Sequence, residues 1–241
     1  MAEEKAIKAI EKARGLIINS VPKNSLVAIY IKGSFARREH RWVQASSESV
    51  LKGSDVDIVP IVAENKFEKA IFGVNNLEIH PCIVVPLSLW ELENNKLYTK
   101  NNRPRAKPDE FVKRLGKYKL IYGKSLETAN FNVRTDREAL KDKIKTFKKS
   151  YISLYEKGKY PFSALAKEVF WLVEYEQSVR GIKPEHSFKG ISESAKDPNH
   201  IIHDAYKLRE SHTEDKKEKE KFIKKLKKHL DCLENLVQRP C

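Results

Sequence analysis

Gly33-Ser34 and the run Ser54-Asp55-Val56-Asp57, with twenty residues between Ser34 and Asp55, are the residues here whose types and spacing can do chemistry. Two carboxylates at alternate positions of a strand project from one face. Held that close, they repel and their pKa values rise unless a cation lies between them, and a divalent ion that prefers hard oxygen ligands removes the conflict. A Gly-Ser turn offers backbone N–H groups to phosphate oxygens. Carboxylates for a metal beside donors for phosphate make a site for metal-assisted nucleotide chemistry. A lone Asp-x-Asp is also an ordinary acidic strand start. What lifts this one is the apolar run Leu26-Val27-Ala28-Ile29-Tyr30-Ile31, which ends in Lys32-Gly33-Ser34.

The elements that must position these residues follow from hydrophobic patterning. Ile7, Ile10, Ala13 and Ile17 recur at helical spacing, closed by Pro22 and Asn24. Leu26–Ile31 is apolar throughout, as expected for a strand buried on both faces. Asp57–Val62 is a second strand, whose Pro60 points to an edge or a bulge. Leu77–Val85 reads as a third strand, with Pro81 demoting it in the same way. A helix over Leu87–Leu97 starts after Pro86, with Ser88 as its cap. Phe111–Leu115 is a helical turn or two, and Tyr118–Tyr122 a short strand ended by Gly123. From about residue 135 the pattern is helical. One stripe is Leu140, Ile144, Phe147, Tyr151 and Leu154. Leu165, Val169, Leu172 and Val173 form another, and Phe222, Leu226, Leu230, Leu233 and Val237 a third. A further helix spans His200–Arg209, and Gly181, Pro184 and Asp197-Pro198-Asn199 mark turns. The expected fold class is α+β: a small mixed sheet with flanking helices over residues 1–130, then an antiparallel helical bundle over 131–241.

Gly33-Ser34-Phe35-Ala36-Arg37 followed by Ser54-Asp55-Val56-Asp57-Ile58-Val59 resembles the signature of the DNA polymerase β-like nucleotidyltransferase superfamily. Within it, the chain looks most like aminoglycoside adenylyltransferases of the streptomycin/spectinomycin type. They share a Leu-Glu-Val-like strand (here Leu77-Glu78-Ile79), a Trp-containing segment (Leu89-Trp90), a Leu-Tyr-Gly-like turn (Ile121-Tyr122-Gly123) and a helical bundle. The superfamily match covers roughly residues 26–85. The resemblance implies roles. Gly33 and Ser34 would bind the β- and γ-phosphates, with Arg37 and Ser54 completing the nucleotide-binding set. Asp55 and Asp57 would hold Mg²⁺, two ions in the family's mechanism. Glu78 would complete the metal site or act as general base. The implied reaction transfers a nucleoside monophosphate, AMP from ATP, to a hydroxyl by in-line displacement and releases pyrophosphate. Read from the sequence alone, Glu78 sits among apolar neighbours, where a buried carboxylate needs a partner.

The segment between the two halves of the motif is longer than the family pattern and carries Arg37, Arg38, His40, Arg41 and Trp42. Arg37 or Arg38 can contact phosphate, and Trp42 can stack on a base; the other reading is a solvated surface loop. His80 is a core histidine or a group behind Glu78. His200 and His203 share a helix face without cysteines nearby. Lys167, Glu168, Glu174 and Glu176 lie on the second bundle helix, where one of them can line a cleft, and Trp171 reads as core.

The net charge of +14 favours anionic partners and disfavours polycations. An RNA or tRNA acceptor, or a protein hydroxyl, fits this charge better than an aminoglycoside, although no RNA-binding signature is present. A small-molecule hydroxyl is the remaining acceptor class. The alternative function is non-catalytic: an antitoxin-like partner protein with a nucleotidyltransferase fold, or an RNA/tRNA-binding module. Presence of all three of Asp55, Asp57 and Glu78 favours the enzyme. Cys82, Cys232 and Cys241 follow no metal or disulfide spacing and read as free thiols. The start of the chain lacks signal-peptide features, and no apolar run nears the ~18 residues of a membrane span. The expected location is cytoplasmic, with no membrane partner. A homodimer is an open possibility.

Overall fold

A computed structural model describes residues 2–39, 42–44, 51–53, 55–98, 106–183, 185–211 and 215–238. The chain divides into two compact units, Met1–Val133 and Arg134–Cys241. The first is a mixed sheet with helices and the second is largely helical, so the fold class is α+β.

The first unit opens with helix α1 (Ala2–Ser20) and strand β1 (Leu26–Lys32), followed by the short helix α2 (Gly33–Ala36). A hairpin of β2 (Trp42–Gln44) and β3 (Leu51–Gly53) precedes β4 (Val56–Val62). Helix α3 (Glu68–Gly73), strands β5 (Cys82–Val84) and β6 (Leu87–Ser88), helices α4 (Leu89–Asn94) and α5 (Pro108–Val112), and strand β7 (Lys119–Gly123) complete it. The sheet runs β5-β4-β1-β7, with β6 also beside β4. β1 pairs antiparallel with β4 and with β7, whereas β5 and β6 are parallel to β4.

β1 is buried on both faces, as its apolar run requires. Ile29 and Ile31, with Val56 and Ile58 of β4, pack on Ile10, Ala13 and Ile17 of α1 and Ile71 of α3. Ala28, Tyr30, Val59 and Ile61 pack the other way, on Leu87, Leu92, Phe111, Val112 and Leu115. The alternation of the two sets is the period-two pattern of a central strand. Each large side chain buried in this way contributes roughly 1.5–3 kcal/mol. Helix α4 starts where the sequence places it. Ser88 accepts from the Glu91 N–H at 3.1 Å while the Glu91 carboxylate accepts from the Ser88 N–H at 3.2 Å, a reciprocal cap.

Pro60, read as marking an edge or a bulge, lies in a central strand whose register with β1 is irregular at that end, between the pairing of Leu26 with Val62 and that of Ala28 with Ile61. It falls between the stretch of β4 that pairs with β5, through Ile58, and the stretch that pairs with β6, from Ile61. A missing N–H is tolerated where that side has no strand partner. The third strand is only Cys82–Val84, and Leu77–Pro81 is turn. The segment after α2, read as loop, contains the β2–β3 hairpin. His40, Arg41, Ser54, Pro184 and Cys241, and the side chain of Trp42, lie outside the described residues.

The second unit comprises α6 (Asp136–Thr146), a π-helical turn (Phe147–Tyr151), α7 (Ile152–Glu156), α8 (Phe162–Val179), α9 (Phe188–Glu193), α10 (Ile201–Ser211) and α11 (Lys216–Gln238). The three stripes seen in the sequence supply its core: Leu140, Ile144, Phe147 and Tyr151 with Leu165, Val169, Leu172 and Val173, and with Phe222, Leu226, Leu230 and Leu233. The π turn turns Phe147 and Tyr151 inward, edge to face at 5.1 Å. Among the described residues no helix is long and apolar enough to cross a membrane.

Cys82 is buried and Cys232 exposed. Burial pushes the Cys82 thiol up to about 12. An unfolded thiol ionises near pH 8.5, so the unfolded state loses its proton first and this group's contribution to stability falls as pH rises above ~8.5, by about 1.4 kcal/mol per pH unit. Denaturation midpoints of the wild type should therefore drop more steeply between pH 8.5 and 10.5 than those of Cys82→Ala. In the native protein an alkylating reagent should label Cys232 and spare Cys82; equal labelling would contradict this placement.

Candidate active site

Strand β1 delivers the first half of the site. It ends at Lys32, and the chain turns at Gly33 with φ +78°, a conformation open to glycine and strained for other residues. Helix α2 then carries Ser34, anchored by Phe35 and Ala36, which pack on the α1-side core. Strand β4 delivers the second half. Val56 and Ile58 are fully buried against α1 and α3, so Asp57 points to the opposite face of the sheet. Asp55 leads into the strand two residues earlier, and its side chain is exposed.

The two halves meet. Lys32 and Asp57 are register partners across β1 and β4. A Cβ placed on Gly33 would lie 2.4 Å from Asp57 Oδ2, so the Gly33 backbone sits directly against that carboxylate. The arrangement fits a divalent cation: hard oxygens at the end of a strand, beside backbone stripped of the side chain that would fill the space.

Glu78 is not brought to this place. It lies in the turn before β5, with its side chain 99% exposed and 3.9 Å from Lys12 of α1. Helix α1 covers the face opposite to Asp57. The expectation of a carboxylate buried among apolar neighbours is therefore corrected: of the residues flanking Glu78 only Ile79 turns inward, and the strand begins after Pro81. The β5 register partner of Asp57 is Ile83, so the row across the sheet reads Lys32, Asp57, Ile83. His80 is exposed rather than core.

Arg37 ends α2, largely buried, and its Nε donates to Glu39 Oε2 at 2.6 Å. Arg38 follows in a left-handed conformation, φ +59°, and is exposed.

In the helical unit each singled-out carboxylate has partners. Lys143 Nζ donates to Glu168 at 2.8 Å. Glu174 lies 2.5 Å from His186 Nδ1, and the His186 ring stacks on Trp171 at 4.9 Å. Glu176 is buried and contacts His200, His229 and Arg180. Burial raises its pKa, but the two histidines outweigh that and hold the carboxyl well below the usual range. His203 does not share a site with His200: its Nε2 faces the Ala195 and Asp197 carbonyls, each at 3.1 Å. The grouping of Glu176 with His200 and His229 had no signal in the sequence, because the partners lie 24 and 53 residues away.

No family model matches the chain, and no curated protein matches it. A solved structure does: the spectinomycin adenyltransferase AAD(9) from Enterococcus faecialis, determined with ATP and spectinomycin. The two share 12% identity and a TM-score of 0.52 over 97% of this chain and 99% of that one. At that identity the likeness speaks for the fold alone: over nearly its whole length, this chain shares the fold of that structure, a mixed sheet with helices followed by a helical region.

Proposed function

We propose that this chain is a Mg²⁺-dependent nucleotidyltransferase that moves AMP from ATP to a hydroxyl acceptor. The observation that carries the reading is the closure of Gly33 onto Asp57, which joins the two halves of the motif in one place. The solved structure of similar fold, an adenyltransferase, contains ATP.

In this reading Asp55 and Asp57 hold the metal, while the Gly33-Ser34 backbone, the Ser34 hydroxyl, Arg37 and Ser54 receive the β- and γ-phosphates. The bound ion would supply charge neutralisation on the triphosphate. The chain's own groups fix the α-phosphorus in line with the acceptor. The acceptor oxygen forms the new bond to phosphorus, the bond to the β-bridging oxygen breaks, pyrophosphate leaves, and the hydroxyl proton passes to solvent. The net charge of +14 favours an anionic acceptor such as RNA over a polycationic one.

A second reading has its own observation. With Ile83 next to Asp57 in the sheet and Glu78 beside Lys12, a third carboxylate for a general base is not supplied by the residues named for it. A protein that binds Mg²⁺ and nucleotide without transferring it would have this construction. The deciding experiment incubates the chain with ATP labelled in the adenosine moiety, Mg²⁺, and total tRNA, protein or aminoglycosides. Label on one acceptor class with pyrophosphate released supports transfer. Mg²⁺-dependent ATP binding without label on any class supports the second reading, and no Mg²⁺-dependent binding sinks both.

A further inference from the structure

We propose that Glu176, His200 and His229 form a divalent transition-metal site, of the Zn²⁺ class, within the helical unit. Their ligand atoms lie within 4.8 Å of one another, and the three residues come from α8, the entry to α10, and α11.

Geometry carries the inference. His200 Nε2 lies 3.2 Å and His229 Nε2 lies 2.9 Å from the same oxygen, Glu176 Oε2. Bonds of ~2.0–2.1 Å to a tetrahedral Zn²⁺ put ligand atoms roughly 3.3 Å apart. The three donors therefore need only small movements to receive an ion. Two imidazole nitrogens and one carboxylate oxygen form a donor set that suits Zn²⁺ and its first-row neighbours, and does not suit Mg²⁺.

The surroundings prepare the residues for this role. The two rings meet edge to face, with centroids 4.9 Å apart, and both Nε2 atoms face Glu176 Oε2. Arg180 takes the other carboxylate oxygen, with Nε and Nη2 each 3.1 Å from Oε1, and so fixes Glu176 to present Oε2 alone. The carboxylate is almost fully buried, while the two histidine side chains keep 16% and 14% of their surface. That partial opening keeps the two histidines in contact with solvent.

Loading fixes the proton of each ring. Without metal, both Nε2 atoms face the Glu176 carboxylate, which can only accept. A metal on Nε2 places the remaining ring proton on Nδ1. His200 Nδ1 now accepts from the Ile202 N–H at 3.3 Å. A metal-bound His200 must give up that bond, so the Ile202 amide reports on occupancy at its own place in the fold.

The test uses the full chain, freed of metal by a chelator and dialysed. Co²⁺ should produce the visible absorption of a tetrahedral site with a 1:1 endpoint, and Zn²⁺ should bleach it. Excess Zn²⁺ should raise Tm by about 5 °C, because an ion that binds only the folded state stabilises it. In an amide NMR spectrum the Ile202 resonance should shift. His229→Gln and, separately, His200→Gln should abolish the Co²⁺ band, whereas His203→Gln should keep it. If either variant fails to fold, the other carries the comparison. The proposal is overturned if the wild type gives no tetrahedral Co²⁺ spectrum and no Zn²⁺-dependent rise in Tm. It is equally overturned if His229→Gln and His200→Gln keep the band. In those cases the cluster is a hydrogen-bonded support for a buried carboxylate.

Discussion

Gly33→Ala is expected to leave the protein folded and to lower its Mg²⁺-dependent ATP affinity at least tenfold, about 1.4 kcal/mol. Two effects act, and they can be separated. The backbone at φ +78° is unfavourable for an L-residue, which costs about 1–2 kcal/mol of stability. The added methyl would also lie 2.4 Å from Asp57 Oδ2. The carboxylate is the movable end of its side chain, so it swings away and the fold survives, but it leaves the position against the Gly33 backbone on which the proposed metal binding depends. Gly158→Ala is the control. Gly158 has φ +69°, and a methyl added there would meet nothing within 4 Å, so it carries the strain without the displacement. Chemical denaturation should show comparable losses for the two variants, while titration of a fluorescent ATP analogue with and without Mg²⁺ should show the binding loss in Gly33→Ala alone. Equal affinity in Gly33→Ala and wild type would disprove the contact's role.

The contrast between these glycines shows what the sequence could and could not reveal. Gly33 stood out because an apolar run led into it and an Asp-x-Asp followed, and strand patterning is local. β1, the inward-facing Val56 and Ile58, the Ser88 cap and the three bundle stripes are all local patterns of this kind, and each could be read without the fold. Glu78 failed because its neighbours Leu77 and Ile79 are apolar. Alternation in so short a run cannot show whether the chain is still turning, and here it is: the strand waits until Cys82. Pro60 marked the irregular end of β4 and not an edge, since an interior proline is barred only where both sides of its strand are paired. The partners of Asp57, Lys32 and Ile83, and those of Glu176, His200 and His229, are set by register and helix packing. Neither leaves a spacing in the chain.

Asp57→Asn should lower Mg²⁺-dependent ATP binding on the order of 100-fold, since a direct carboxylate ligand, the role proposed for Asp57, is worth at least as much as the groups behind it. The amide keeps the size of the side chain, so the variant tests charge and not shape. The signature is a protein that still folds in chelator but no longer gains stability from Mg²⁺ and ATP together. Glu78→Gln supplies the comparison. Its side chain is 99% exposed and its partner Lys12 lies 3.9 Å away across a half-exposed ion pair, so binding should stay near the wild-type value. If Glu78→Gln matched the loss in Asp57→Asn, the metal would be drawing on the turn before β5, and the site would have to close in a way that the register of β4 and β5 does not provide. If Asp57→Asn bound like the wild type, the Asp-x-Asp would be an acidic strand start and no more, and the meeting of Gly33 with Asp57 would be packing.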